Sequence, residues 1–425
     1  MTRLLLLFTA AWSAFGQPRS QLDLDSFEKV WTTVRDKHWQ TKPGGLDWQA
    51  IHDEYRPRVE KAASHADAQA IMQDMLGRLK QSHFAIIPAP VYSVIDDSAN
   101  GPGISGPGTT GIDARVLDGH AIVTGVDPGS PAEKQGVRPG WQIDKAGGQE
   151  LKQIIDQARS NPAIHELQLT RAVLARLSGP IGGTVDAAFS DGSAKKVELK
   201  LDLTVPRGVL SSFGNLPAQH VWFENKMIGP ISPSVAYVRF NLFLDLPRVM
   251  TSFQRTVETC KVCDGMVIDL RGNPGGIGGM AMGMAGFLVD KPNQRLGTMY
   301  LRDSTLNFVV NPRAEVFSGP VAVLVDSCSA STSEIFAGGL KDLGRARIFG
   351  TRTAAAALPS AFERLPNGDG FQYALANYIS QGGQPLEGLG VTPDVVVELT
   401  RTALLKGRDP VIDSALDWIR RQKKP

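Results

Sequence analysis

The sequence predicts a multidomain α/β protein, and three observations carry that prediction. Strands alternate with helices from about residue 230 onward, helical periodicity dominates before residue 90, and short strands fill the stretch from about 111 to 204. At 425 residues the chain exceeds one ordinary core, since a domain typically takes roughly 150 residues, so two or three domains are expected.

Composition narrows the classes of function. Apolar residues make up 42% of the chain and charged residues 21%, close to soluble globular norms, which excludes collagen-like, coiled-coil and largely disordered classes. Forty-five basic side chains against forty-three acidic ones leave a formal charge of +2. That balance creates no global pull toward phosphate backbones or anionic membranes, and no nucleic-acid partner is expected.

Residues 1–16 read as a signal peptide. Arg3 gives a short basic start, 4–12 an apolar stretch, and Ala14, Phe15 and Gly16 a small-x-small cleavage pattern. Cleavage after Gly16 would start the mature chain at Gln17, with export to the periplasm or secretion. The apolar run is too short to span a bilayer and no later segment has membrane length, so no integral membrane segment is expected after cleavage.

A helical bundle is predicted over 17–95. Asp25 and Glu28 form a capping-box pattern, and Phe27, Val30, Trp31, Val34 and His38 recur at helical spacing. Asp47 can cap a second helix bearing Trp48, Ile51, Tyr55 and Val59. A third carries Ile71, Met75 and Leu79 on one stripe and ends near Ser82 and His83. Residues 98–110, dense in Gly, Pro, Ser and Thr, read as a linker.

A mostly β domain is expected over 105–204, with strands at 121–124 and at 197–203, the second following the Asp191-Gly192 turn. The α/β core runs over 230–400. Its strands are 235–240, 266–270 and 321–325; its helices are one opened by Pro247, with Val249, Phe253, Val257 and Cys260 at helical spacing, then 280–289 and 333–343. A C-terminal helix is expected over 401–425.

Three cysteines make no disulfide framework. Cys260 and Cys263 form a lone CxxC without a second pair or flanking histidine to complete a zinc site, so core packing or a disulfide is expected. Cys328 has apolar strand neighbours that favour packing. No metal site and no cofactor are expected.

Two stretches carry chemistry. At Ser329-Ala330-Ser331-Thr332-Ser333-Glu334 an apolar strand runs into a turn of small residues and then a helix, which exposes a hydroxyl and points helix-start N–H groups at a developing oxyanion. At Asp269-Leu270-Arg271-Gly272-Asn273-Pro274-Gly275-Gly276 glycines after a strand let the backbone approach a substrate carbonyl. This second stretch lacks the Lys-Ser/Thr ending of a phosphate-binding loop and the spacing of a dinucleotide fingerprint.

Together, in this order, the two stretches resemble the serine peptidases that include the tail-specific (C-terminal-processing) proteases and the tricorn core protease. The resemblance extends to Leu79-Lys80-Gln81-Ser82-His83 and to Leu386-Glu387-Gly388-Leu389-Gly390-Val391-Thr392-Pro393-Asp394. It implies a Clp-protease/crotonase-like α/β catalytic core and polypeptide substrates. Ser331 matches the nucleophile, and the N–H of Thr332 with that of Gly275 or Gly276 matches the oxyanion hole. In the tail-specific branch a lysine activates the serine, but here Ala356 takes its place. The tricorn-like branch uses a Ser-His pair and a glutamate, which Ser82, His83 and Glu387 match. An imidazole with an ordinary pKa of about 6.5 suits a general base at neutral pH, and Glu334 reads as a structural group at the helix start.

The β domain resembles a PDZ module. Gly111-Ile112-Asp113-Ala114 corresponds to its carboxylate-binding loop, and Gly129-Ser130-Pro131-Ala132 and Gly136 to Gly140 to the following helix and turn. The resemblance implies peptide addition as an edge strand, although Asp113 sets an anion where a peptide carboxylate would arrive. The expected function is an exported serine peptidase with a Ser-His-Ser-Glu arrangement, its PDZ-like domain recruiting substrate. The alternative is a catalytically silent binder of peptide or apolar ligand on the same fold.

Overall fold

The computed structural model describes residues 18–89, 92, 107–159, 166–193, 195–214, 216–229 and 234–422. Residues 1–16, read above as a signal peptide, and most of the 98–110 stretch, read as a linker, lie outside them.

Three helices open the described chain: α1 (Arg19–Lys37), α2 (Trp48–Glu60) and α3 (His65–Gly77). The start of α1 departs from the capping-box expectation. The helix begins directly after Pro18, and Asp25 lies inside it, accepting from Gln21 on the exposed face at 2.8 Å. The extra turn exists because Asp23 faces inward, where its carboxylate accepts from Asn367 at 2.9 Å and meets His65 at 2.7 Å. Asp47 does cap α2, accepting from the Ala50 amide at 3.1 Å, and Ser64 caps α3 in the same way. Phe27, Val30, Tyr55, Met72 and Met75 form one core with Leu358, Leu365 and Phe371 from far along the chain. Because α3 stops at Gly77, Ser82 and His83 stand on a loop, in which Lys80 and His83 adopt left-handed φ of 52° and 61°. That loop leads into β1 (Ala85–Ile87).

The β region is antiparallel. β2 (Ile112–Leu117), β3 (His120–Val126), β4 (Gln142–Ala146), β5 (Thr184–Ser190) and β6 (Lys196–Asp202) lie side by side in that order, leaving β2 at the edge. Asp118 and Gly119, both at positive φ, make the two-residue turn between β2 and β3. Helices α4 (Leu151–Arg159) and α5 (Glu166–Ala175) supply Leu151, Ile155, Leu169 and Val173 to its core.

In the α/β core, β7 (Phe223–Ile228) pairs antiparallel with β8 (Val235–Phe240), which α6 (Leu246–Thr259) connects to β9 (Gly265–Asp269). After α7 (Gly278–Ala285) come β10 (Gln294–Tyr300) and β11 (Thr305–Val310), then β12 (Val321–Val325) and α8 (Thr332–Asp342). The remaining strands are β13 (Arg347–Gly350), β14 (Ser360–Arg364), β15 (Gly370–Ala374), β16 (Asn377–Ser380) and β17 (Val395–Val396), and α9 (Pro410–Gln422) ends the described chain.

The central sheet runs β7-β8-β9-β12-β13-β17, parallel from β8 onward. All of β9 and β12 is buried, as expected of parallel strands covered on both faces. Helices α6, α7 and α8 pack one face around Phe240, Phe253 and Phe336, while α9 covers the other through Val411, Ala415 and Ile419. The expected single C-terminal helix is two pieces, Arg401–Leu405 and α9, separated near Gly407 at φ 67°. Two satellite sheets, β1-β15-β14 and β11-β10-β16, complete the core. The first ties the N-terminal segment to the α/β core.

Candidate active site

Strands β9 and β12 are parallel neighbours, with Asp269 opposite Leu324. Their C-terminal exits therefore lie together, as at the ligand crevice of open α/β sheets. Asn273 binds the two exits. Its carbonyl accepts from the Ala330 amide at 3.1 Å and the Ser333 hydroxyl at 2.9 Å, and its side chain donates to the Phe240 carbonyl at 2.9 Å. Ser331, between β12 and α8, has φ 55° and ψ −119°, a left-handed conformation that costs a non-glycine residue about 1–3 kcal/mol and persists only where the surroundings over-determine it. Its amide is held by the Ala356 carbonyl at 2.8 Å and by Glu334 Oε2 at 3.0 Å.

Gly275 packs against this turn. A Cβ there would lie 2.7 Å from Ser331 Cβ and 2.8 Å from the Thr332 nitrogen. The choice between the two glycines, open in the sequence, turns on Asn273: the Gly275 amide donates to Asn273 Oδ1 at 2.9 Å. Gly276 instead offers its carbonyl to the Thr332 hydroxyl at 2.8 Å, and its amide and that of Thr332 have no acceptor among the described residues.

Ser82, His83 and Glu387 come together. The Ser82 amide donates to Glu387 Oε1 at 2.7 Å, its hydroxyl donates to Glu387 Oε2 at 2.8 Å, and the same hydroxyl lies 2.6 Å from His83 Nδ1. A hydroxyl has one proton to give, so with that proton on Glu387 it accepts from His83 Nδ1–H, leaving Nε2 as the ring's free lone pair. Burial, with a smaller contribution from the Arg171 charge, brings His83 down from 6.5 to about 4. This corrects the expectation of an ordinary histidine pKa: the fold disfavours imidazolium, and the ring is a neutral acceptor throughout the neutral range.

The stretch 353–357 connects the two halves. Ala356 offers its carbonyl to the Ser331 amide, and the next residue, Ala357, donates its amide to Glu387 Oε2 at 3.0 Å. The position where relatives of the tail-specific branch carry a lysine thus serves as a backbone link.

The residues matching a carboxylate-binding loop face the α/β core. Asp113 Oδ1 accepts from Arg115 at 2.6 Å and Oδ2 from Arg239 at 3.2 Å. Although burial works against its charge, the two arginines hold its carboxyl below the ordinary value. Asp113 is therefore a paired anion, which corrects its reading as a free charge opposing a peptide carboxylate. Arg115 also donates to the Ala114 carbonyl at 2.8 Å and to Asp326 Oδ2 at 2.7 Å. Asp326 Oδ1 in turn accepts from the amides of Gly272 and Cys328, both at 2.9 Å. Gly111 is buried at φ 80° against Ser130, and Ile112 is buried beside it.

Sequence reasoning missed Arg115 and Asp326. Their one signal is an arginine set between Ala114 and Val116 on a mostly buried strand that also carries Asp113. Cys260 and Cys263 form a disulfide, and Cys328 is a buried free thiol that burial pushes up to about 11.

Residues 234–397 match peptidase family S41 and residues 24–77 match the tricorn protease C1 domain. A carboxy-terminal-processing protease of Bartonella bacilliformis is 27% identical over 68% of this chain, which spans 60% of that relative's length. Among solved structures, the photosystem II D1 C-terminal processing protease superposes with a TM-score of 0.59 at 21% identity, covering 90% of this chain and 94% of its own. Mature CPAF does so with a TM-score of 0.64 at 13% identity, covering 96% and 99%.

Proposed function

We propose that the protein is an exported serine peptidase that hydrolyses peptide bonds in polypeptides, with Ser331 as nucleophile and His83 as general base. The observation that carries this reading is the chain Glu387–Ser82–His83, whose hydrogen bonds leave the imidazole Nε2 as an acceptor. In the reaction Ser331 Oγ attacks the scissile carbonyl while His83 Nε2 takes its proton. The amides of Thr332 and Gly276 face the oxyanion, and His83 returns the proton to the leaving amine. Water, deprotonated by the same imidazole, then releases the acyl group. The imidazolium formed on the way is stabilised through Ser82 by the Glu387 carboxylate.

The 105–204 region, read as PDZ-like, recruits polypeptide along the edge strand β2. Its Ala114 carbonyl is covered by Arg115, so a peptide strand must displace that guanidinium. Export rests on residues 1–16 and agrees with the Cys260–Cys263 disulfide, a bond favoured outside the cytosol. No helix among the described residues is long and apolar enough to cross a membrane.

The test is labelling with a fluorophosphonate probe followed by peptide mapping. Modification of Ser331 is the expected result. A protein that stays unlabelled, yet binds peptide, would instead be the silent binder.

A further inference from the structure

Glu334, the third residue of α8, is wholly buried and has no part in the proton transfers above. Its carboxylate accepts four hydrogen bonds. Oε1 receives the Thr353 hydroxyl at 2.6 Å and the Ala355 amide at 2.9 Å; Oε2 receives the Ser331 amide at 3.0 Å and the Ala356 amide at 3.1 Å. One carboxylate thus fixes the backbone of the nucleophile in its left-handed conformation. It also fixes Ala355, itself at φ 58°, and through Ala356 and Ala357 the segment that meets Glu387.

We propose that Glu334 is a positioning residue that must be ionised for activity, and that its protonation releases the nucleophile turn, so that activity falls on mild acidification. This rests on the peptidase reading given above. The chemistry follows from counting donors. An ionised carboxylate satisfies all four N–H and O–H groups, whereas a protonated one brings a fifth donor into a site of donors and must release at least one.

Burial without a charged partner pushes Glu334 up from 4.5 to about 7, the four donors offsetting part of that rise. Burial holds His83 below its ordinary range, so a limb near neutrality that vanishes in Glu334→Gln belongs to Glu334 and not to the imidazole. The titratable groups around Glu334 are few. The turn brings Asp326 and Cys328, and α8 itself Lys341 and Asp342 further along. The 353–357 side brings Arg352, which bonds the carbonyls of Gly388 and Leu389, with Glu387 and His83 beyond it. Among the elements packed against α8, α7 carries none, β16 brings Tyr378, β10 Arg295 and Tyr300, and β13 Arg347. None of these bonds to Glu334.

The rate of Ser331 modification by a fluorophosphonate, measured from pH 5 to 9 with saturation of the probe, tests the proposal. Wild type should show an acid limb near 7. Glu334→Gln sets an amide N–H2 against two of the donors, so the limiting rate should fall at least about tenfold while probe affinity stays within about twofold, and the limb should vanish. Since Glu334→Gln could also misfold, Thr353→Val is the second variant. It removes one hydrogen bond to the charged form, so the limb should move up by about one pH unit, and Thr353→Ser should restore it. A wild-type rate and limb in folded Glu334→Gln, or an unmoved limb in Thr353→Val, overturns the proposal while leaving the serine mechanism standing. Absence of Ser331 labelling in wild type at every pH overturns the peptidase reading, and this proposal falls with it.

Discussion

The Ser82 hydroxyl donates to Glu387 Oε2 at 2.8 Å, across a separation of 305 positions in the chain. The contact depends on packing at both ends. The first three helices share a core with Phe371 and Tyr373 of β15, and β1, directly after His83, adds to that same strand. The loop carrying Ser82 and His83 is thereby fixed to the α/β core by a sheet and a hydrophobic cluster, which gives the proposed base the positional precision that proton transfer needs.

From this arrangement we predict a graded loss of rate. His83→Ala removes the base and should lower kcat by about 10²–10⁴-fold. Ser82→Ala and Glu387→Gln leave the imidazole in place but free its orientation and tautomer, so each should cost less than His83→Ala. Steady-state hydrolysis of an unfolded protein substrate measures all three. Equal losses in the three variants would mean that Ser82 and Glu387 do more than orient the base.

Ser331→Ala should abolish fluorophosphonate labelling and hydrolysis with the fold intact. The left-handed backbone is equally strained for serine and alanine, and the bonds that hold it are made by the amide, so the unfolding free energy should change by less than about 1 kcal/mol. Denaturant unfolding checks the second half. A larger drop would show that the hydroxyl also holds the turn.

Much of this site was legible in the sequence because its parts sit where regular structure ends. The strands 235–240 and 321–325 match the observed β8 and β12 residue for residue, since a buried parallel strand is a short apolar run bounded by breakers. The start of α1 was not legible, because the helix opens after Pro18 with no side-chain cap, and Asp23 inside it is held by Asn367 from far along the chain. Gly275 and Gly276 were indistinguishable in the sequence for a similar reason: what separates them is the Asn273 side chain, which takes the Gly275 amide. The pairing of Arg115 with Asp326, 211 positions apart, has no local signature at all.

That pairing leads to a third prediction. The Arg115 side chain is 8% exposed and that of Asp326 17%, so Asp326→Asn takes the more buried of its two carboxylate partners from a desolvated guanidinium and weakens the acceptor of the Gly272 and Cys328 amides. A loss of about 3–5 kcal/mol in unfolding free energy is expected, as for one broken partner of a buried pair. Asp113 is 34% exposed, and Asp113→Asn should cost no more than about 1 kcal/mol. Denaturant titration of the two variants compares them. A reversed order would place the anchoring charge at Asp113.

The last prediction concerns stability against pH and follows from His83. Its folded pKa of about 4 lies below the ordinary 6.5, with burial the larger cause and the Arg171 charge the smaller. A depressed base means that the unfolded chain binds the proton first. As pH falls from about 6.5 to about 4 the unfolded state is favoured progressively, so this group's contribution to stability is lost across that window and is constant above it. Glu334 has the opposite sign. Burial raises its carboxyl from 4.5 to about 7, so the native state binds the proton first and gains stability as pH falls from about 7 to 4.5. In wild type the two effects oppose each other between 6.5 and 4.5, and the net slope conceals both. Replacing the imidazole separates them: the difference in unfolding free energy between His83→Ala and wild type should shift steadily in favour of the variant as pH is lowered from 6.5 to 4, and should be flat from 7 to 8. Chemical denaturation at half-unit pH intervals measures it. A difference that stays constant from pH 8 to 4 would mean that His83 titrates alike in the folded and unfolded chains, which requires a solvated ring and contradicts the desolvated base on which the mechanism depends.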